Sequence, residues 1–308
     1  MLSVMYHYVQ KANRDLPYFR YLDFDNFRKQ LDFFSENYLF ATRDEWDQLI
    51  SGNLNDDHEK KIILTFDDSL SCHYDYVSKE LKDRDLWGIF YVPVLPYLNN
   101  KMLDVHRIHL LSGFVSGNDL LESCLEIIPS EKLIYADKVD FKEKTYAKQN
   151  NYDGISNFKR ILNYFVSDDY KTEILDILIK KYSLDDSAVK YYLSEKQLKK
   201  MNNKGMIIGS HTLSHPVMSK LTKENQKREI EESFDFLSTF LELEHKTYCH
   251  PHGGFHSFNN DTIEILEELK VDYAFNVESR KIENVDFIKN RFHLPRFNTN
   301  EFPHGEAN

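Results

Sequence analysis

Cysteine is scarce in this chain. Cys72, Cys124 and Cys249 are the three it has in 308 residues, an odd number at wide spacing. That excludes a disulfide framework and a paired-cysteine metal knuckle. Glycine (10) and proline (8) are also few, so neither a collagen-like repeat nor a low-complexity linker chain is expected. No apolar run approaches the roughly 20 residues of a membrane-spanning helix, and no membrane span is expected. Positive charge is in deficit: 39 Lys and Arg stand against 50 Asp and Glu, a net charge of −11. The basic footprint that nucleic acid requires is missing, which argues against it as the main partner. Lys196, Lys199, Lys200 and Lys204 read as one solvated helix face. The opening Met1–His7 is too short an apolar run for a signal peptide and has no basic leader, so a cytoplasmic location is expected.

What the chain does have is enough apolar residue, 41%, for a sizeable core, and an alternation of strand and helix patterns. Leu2–Tyr6, Tyr38–Ala41, Lys61–Phe66, Trp87–Val92, Met206–Gly209, a short strand closed by Tyr248, and Tyr273–Val277 read as strands. Between them Phe24, Phe27, Leu31 and Phe34 share a helix face, Thr42 and Glu45 have capping-box spacing, and Thr222 precedes a helix over Lys223–Leu241. Strand–helix alternation implies a parallel sheet. The expected fold is one α/β domain spanning 1–308, a distorted parallel (β/α) barrel of about seven strands. From 96 to 195 the alternation stops, and helices over Asp104–Leu111, Leu120–Ile127, Phe158–Phe165 and Tyr170–Tyr182 are expected, with Gly113 ending the first. This stretch reads as a helical insertion within the domain.

Two constellations carry chemistry. Asp67 and Asp68 follow the apolar strand Ile62–Phe66, at the C-terminal end where parallel-sheet sites are built. An Asp pair there also suits a plain turn. His211 and His215, four residues apart, follow Met206–Ser210, and Pro216 turns the chain away from helix there, favouring a loop. Surface histidines often share that spacing, but together the two motifs supply a carboxylate and two imidazoles for a divalent metal, with a second carboxylate to spare. Tyr248–Gly254 ends a strand in a Pro/Gly loop that suits a groove wall or a simple tight turn. His106 and His109 line a helix face.

These motifs resemble those of the NodB-like polysaccharide deacetylases, the fourth carbohydrate esterase family. Thr65–Ser69 is similar to the family's Thr-Phe-Asp-Asp-Gly with Ser69 for Gly, and His211–Pro216 matches its His-Ser/Thr-x-x-His-Pro. Pro251-His252-Gly253 resembles its Pro-Tyr-Gly with His252 for the aromatic. Met5–His7, Gly88–Val92, Asp272–Phe275 and Leu294–Arg296 resemble further family segments, and the insertion lies outside the resemblance. The resemblance implies that Asp68, His211 and His215 bind one divalent metal ion, with zinc first and cobalt, nickel or iron as alternatives. It implies that Asp67 is the general base. Cys249 stands where many members place an arginine that orients the base, so Arg296 is the candidate for that role. The acid falls to His293, with His252 and His7 as rivals. His7, Pro251, His252 and Gly253 are expected to line the substrate.

The activity implied is metal-dependent hydrolysis that removes an N-acetyl or similar small acyl group from a sugar, an amide rather than an ester. With no signal peptide read, a nucleotide- or lipid-linked precursor of surface polysaccharide is the expected substrate. A non-catalytic sugar-binding relative that keeps the metal site is the alternative, and a two-His-one-carboxylate iron oxygenase would leave Asp67 without a role. The insertion carries Tyr97, Tyr146, Tyr152, Phe158, Tyr164, Phe165, Tyr191 and Tyr192. It is expected to form a lid over the cleft, with a homodimer surface as the other reading.

Overall fold

A computed structural model describes residues 1–53, 56–134 and 153–307. These residues group into two compact units. One comprises Met1–Lys11, Tyr21–Leu98 and Val189–Asn308, the other Ala12–Arg20 and Asn99–Ala188.

The first unit is built on a wholly parallel sheet. Its strands are β1 (Leu2–Tyr6), β4 (Leu39–Phe40), β5 (Lys61–Phe66), β6 (Ile89–Val92), β7 (Ile207–Ser210), β8 (Thr247–Cys249), β9 (Tyr273–Phe275) and β10 (Phe297–Asn298). They run in the order β10-β1-β5-β6-β7-β8-β9, with β4 beside the start of β5. A second small sheet pairs β2 (Val9–Gln10) with β3 (Leu22–Asp23). The segment leading into β10 curls the sheet round. Leu294 bridges Phe275 of β9, while Phe297 pairs with Val4 of β1. The expected distorted parallel barrel is the observed fold.

Buried on both faces, the strands read as continuous apolar runs. Alternate side chains go to opposite faces. Ile62, Leu64, Phe66, Phe90 and Ile208 pack outward against Phe27, Leu31 and Phe34 of the helix Phe24–Asn37 and Leu198 of the helix Glu195–Asn202. Each such fully buried side chain is worth about 1.5–3 kcal/mol. Ile63, Ile89, Tyr91, Ile207, Cys249, Phe275 and Leu294 gather on the inner face with Trp46. By the same parity Thr65, Asp67, His211 and Arg296 point inward with them. Gly209 keeps this interior tight, because a Cβ there would meet Thr247 and the Tyr91 ring at 2.6–2.8 Å.

Local sequence sets the ends of these helices. Thr42 and Glu45 form the expected capping box, and Thr222 accepts from the Asn225 N–H to start the helix Lys223–Ser238. The short helices Leu95–Asn99 and Asn284–Lys289 were not foreseen. Lys196, Lys199, Lys200 and Lys204 are exposed, as a solvated face requires.

The second unit is helical: Asp104–Phe114, Gly117–Ile127, Ile155–Arg160 continuing into a π-turn, and Asp168–Lys181. Arg107 is buried there, donating hydrogen bonds to Asp104 at 3.0 Å and to Asp176 and ion-paired with Asp186 at 2.8 Å. Gly113 does not end its helix. The helix runs one residue further, to Phe114, and the glycine makes room for the Phe19 ring, which packs 2.6 Å from where a Cβ would stand. Phe158 and Tyr164 are core, whereas Tyr97 and Tyr192 fall in the first unit. Tyr146 and Tyr152 lie outside the described residues. No helix among the described residues is long and apolar enough to cross a membrane.

Candidate active site

β5 delivers Asp67 inward and β7 delivers His211 beside it. Asp68 and Ser69 leave the strand with φ of 78° and 53°. Left-handed backbone at a non-glycine residue costs about 1–3 kcal/mol, and this one turns the Asp68 carboxylate back over the barrel mouth. Thr212, His215 and His252 also have positive φ. Half of the ten such non-glycine residues described therefore sit at this one place. The Gly of the family motif would suit the Ser69 backbone better. Ser69 holds the turn by its hydroxyl, 2.6 Å from the Tyr97 hydroxyl, and by its carbonyl, which accepts from the Leu193 N–H.

Asp68 Oδ1 lies 3.5 Å from His211 Nε2 and 3.6 Å from His215 Nε2. Two donors bound tetrahedrally about 2.1 Å from one ion stand about 3.4 Å apart, so these three residues fit a shared divalent cation. They form one of three such groupings among the described residues. A second, Asp67–His211–Cys249, fits poorly because the Arg296 guanidinium occupies it. The third, Asp47–Glu244–His245, is bridged by Arg43. His211 Nδ1 lies 2.9 Å from the Cys249 carbonyl. A carbonyl only accepts, so Nδ1 carries the proton and Nε2 keeps its lone pair toward Asp68. Burial lowers the His211 pKa against the pull of Asp67 and Asp68, which favours the neutral ring a ligand must be.

Asp67 is held differently. Arg296 reaches it with both arms of its fork, Nη1 to Oδ1 at 2.8 Å and Nη2 to Oδ2 at 2.9 Å. The same guanidinium donates to Thr65 Oγ1, the Asn276 carbonyl and Cys249 Sγ at 3.1, 3.0 and 3.0 Å. All five of its N–H groups are therefore used. The Cys249 thiol lies 3.6 Å from Asp67 Oδ2, and burial pushes its pKa well up, so the sulfur stays protonated. Burial also pushes the Asp67 carboxyl up, but the Arg296 charge and hydrogen bonds, with His211, outweigh it and leave the group below its ordinary value. Asp67 is a carboxylate outside the Asp68–His211–His215 grouping, aimed at the same space.

The other expected residues are placed unevenly. His7 Nε2 is 3.9 Å from both Asp67 Oδ2 and Asp68 Oδ2, with a partly exposed ring. The His252 ring packs on His215, centroids 4.8 Å apart, and Pro251 is buried behind it. The Gly253 carbonyl accepts from the Val277 N–H. His293 instead meets Phe255 and Phe258, ring centroids 5.7 and 6.5 Å away. No hydrogen bond or ion pair among the described residues joins it to Asp67 or Asp68, and its Nδ1 is buried without a partner. His106 and His109 form their own ring pair in the second unit. Sequence reasoning missed Glu229 and His73. The first binds Ser214 beside His215, and the second bonds the His7 carbonyl at 2.8 Å.

A parallel barrel with two histidines and a carboxylate at its mouth, and a second carboxylate alongside, is the class that fold and site define. The family model for polysaccharide deacetylase matches residues 164–274, a span holding the His211–His215 loop and Cys249–Gly253 but neither Asp67 nor Arg296. Among solved structures, a Streptococcus pyogenes deacetylase, PplD, in complex with acetate is 17% identical with a TM-score of 0.56, covering 97% of this chain and 91% of that one. A de-N-acetylase from Aggregatibacter actinomycetemcomitans is 14% identical with a TM-score of 0.52, covering 96% and 93%. A Bacillus cereus polysaccharide deacetylase is 13% identical with a TM-score of 0.51, covering 96% of this chain and 64% of its own. No curated protein sequence matches. The chain resembles the NodB-like polysaccharide deacetylases in its fold and in its matched segment.

Proposed function

We propose that this protein is a metal-dependent deacetylase that cleaves the amide of an N-acetylated sugar. The observation that carries the reading is the pairing of a metal-ligand trio, Asp68–His211–His215, with an ionised carboxylate, Asp67, held by Arg296 outside that trio. Zinc is the metal proposed, since mixed N/O donors with open positions suit it. When bound, such an ion acidifies water and polarises the acyl oxygen. Asp67 accepts the proton of the attacking water at a carboxylate oxygen. The Arg296 fork keeps that carboxylate ionised and aimed. His7, facing both acids from the partly exposed rim, is placed to hand a proton to the departing amine. His252, half-buried at the mouth, offers a wall for the sugar, with buried Pro251 and Gly253 shaping its turn.

The test is acetate release from a panel of N-acetylated sugars, nucleotide-linked, lipid-linked and oligomeric, with and without added zinc. Release that needs zinc and vanishes in Asp68→Ala together with bound metal supports the reading. Bound zinc with no release from any panel member favours the sugar-binding alternative, which Cys249 at the usual arginine position keeps open. A nucleotide-linked or lipid-linked precursor is the proposed substrate, and preferential release from oligomers would overturn that part alone.

Between the two candidate acids, His7→Gln is expected to lower kcat by about 10²-fold or more, the scale of a general acid. His293→Gln should change it several-fold at most. Steady-state rates on the best panel substrate decide this, and the reverse order returns the role to His293.

A further inference from the structure

We propose that Glu229 is the positioning residue that holds the His211–His215 loop in its metal-binding shape. The inference rests on the metal reading of that loop. The loop leaves β7 at Ser210 and folds back within four residues, and it passes through left-handed backbone at Thr212 (φ 67°) and again at His215 (φ 58°). Neither residue favours that region, so the conformation persists only if its surroundings impose it. Inside the loop, the Ser210 hydroxyl accepts from the Thr212 N–H at 3.2 Å and Thr212 Oγ1 accepts from the His215 N–H at 2.9 Å. Those bonds travel with the loop and do not fix it to the barrel. On the strand side, the Thr212 and Leu213 carbonyls accept from the Val94 and Leu95 N–H groups.

The helix side holds the loop at two places: the Ser233 and Ser210 hydroxyls lie 2.6 Å apart where the loop leaves β7, and Glu229 holds the stretch between the two imidazoles. Glu229 lies on the buried stripe of the helix Lys223–Ser238, with Gln226, Ile230 and Ser233. Its Oε2 accepts the Ser214 N–H at 2.7 Å and its Oε1 accepts the Ser214 hydroxyl at 2.6 Å. Its backbone carbonyl accepts the Leu213 N–H at 2.9 Å. A charged acceptor makes the two side-chain bonds stronger than neutral ones. Leu213 and Ser214 lie between the two imidazoles, so clamping them sets the separation of His211 Nε2 and His215 Nε2 around Asp68. Partners that orient metal ligands from outside the coordination shell typically change metal affinity or activity 10–100-fold when removed.

The experiment uses the full chain and zinc as the probe. Zinc affinity is measured by competition with a chromophoric chelator for wild type, Glu229→Ala, Glu229→Gln and Ser214→Ala. Amide exchange at Leu213–His215 is measured in the metal-free proteins. Glu229→Ala should bind zinc about 10–100-fold more weakly and exchange the Ser214 amide faster. Glu229→Gln keeps one acceptor oxygen and the side-chain volume, and Ser214→Ala keeps the N–H bond, so both should fall between. If Glu229→Ala does not fold, these two variants carry the test. Wild-type zinc affinity and exchange in folded variants would overturn the proposal. So would lower thermal stability with zinc affinity unchanged, because Glu229 would then be a structural prop alone. If the wild-type protein binds no zinc, the metal reading fails, and the Ser214 exchange still decides whether Glu229 orders the loop.

Discussion

Asp67→Asn is expected to lower the rate of acyl hydrolysis by about 10²–10⁴-fold, the usual contribution of a general base, while the protein still binds its metal. The substitution keeps shape and volume but removes the charge and the basic lone pairs. The three metal-ligand candidates, Asp68, His211 and His215, are untouched, and the His211 tautomer remains fixed by the Cys249 carbonyl. Asn can still accept from one arm of the Arg296 fork, but its amide group faces the other arm and the Arg296 charge loses its partner, so stability should fall as well and kcat is read on protein shown to be folded. Metal content and kcat measured on the same preparation separate the two acids. If Asp67→Asn empties the site of metal while Asp68→Ala keeps it, the roles of base and ligand are exchanged.

The grouping of Asp68, His211 and His215 was legible in the sequence because each motif is short and lies at the end of an apolar run, where strand register brings the two loops to one mouth. Asp67 and Asp68 follow β5, and His211 follows β7. The fold was legible for the same reason: strands buried on both faces have no polar interruptions to hide them. What was not legible depends on long-range closure. Arg296 donates to a residue 229 positions away in sequence, and β10 beside it is only two residues long, too short to show a period. Family analogy pointed to Arg296, but nothing local required it. His293 was the acid candidate by the same resemblance, and it lies among Phe255 and Phe258. Glu229 read as one more acid on a charged helix. Its signal was the spacing of Gln226, Glu229, Ile230, Ser233 and Phe234, which places it on the buried stripe. The grouping of Ala12–Arg20 with 99–188 rests on contacts such as Tyr18 N–H to the Gly113 carbonyl, which no local pattern encodes.

Arg296→Met should be the most destabilising single change in the site, by about 3–5 kcal/mol, because it removes one partner of a buried ion pair and leaves the other uncompensated. Arg296 is fully buried, Asp67 nearly so, and the guanidinium also satisfies Thr65, Cys249 and the Asn276 carbonyl. Methionine fills most of the volume but makes none of these bonds. The Asp67 carboxyl is now held below its ordinary value only because Arg296 and His211 outweigh burial. With the arginine gone, burial gains, so the carboxyl should protonate at higher pH than in wild type. In wild type the stability contributed by this depressed carboxyl is present above its unfolded-state pKa and is lost as pH falls through the folded-state value. In Arg296→Met that contribution should shrink and, where burial lifts the folded-state value above the unfolded one, reverse, so that stability falls as pH rises; the acid limb of the activity profile should move to higher pH. Arg296→Lys restores the charge as a single point contact without the fork, so it should recover part of the stability and less of the rate. Denaturant melts across pH, read beside kcat for the three proteins, check this. Arg296→Met melting and turning over like wild type would show that Asp67 is held and tuned by something other than Arg296.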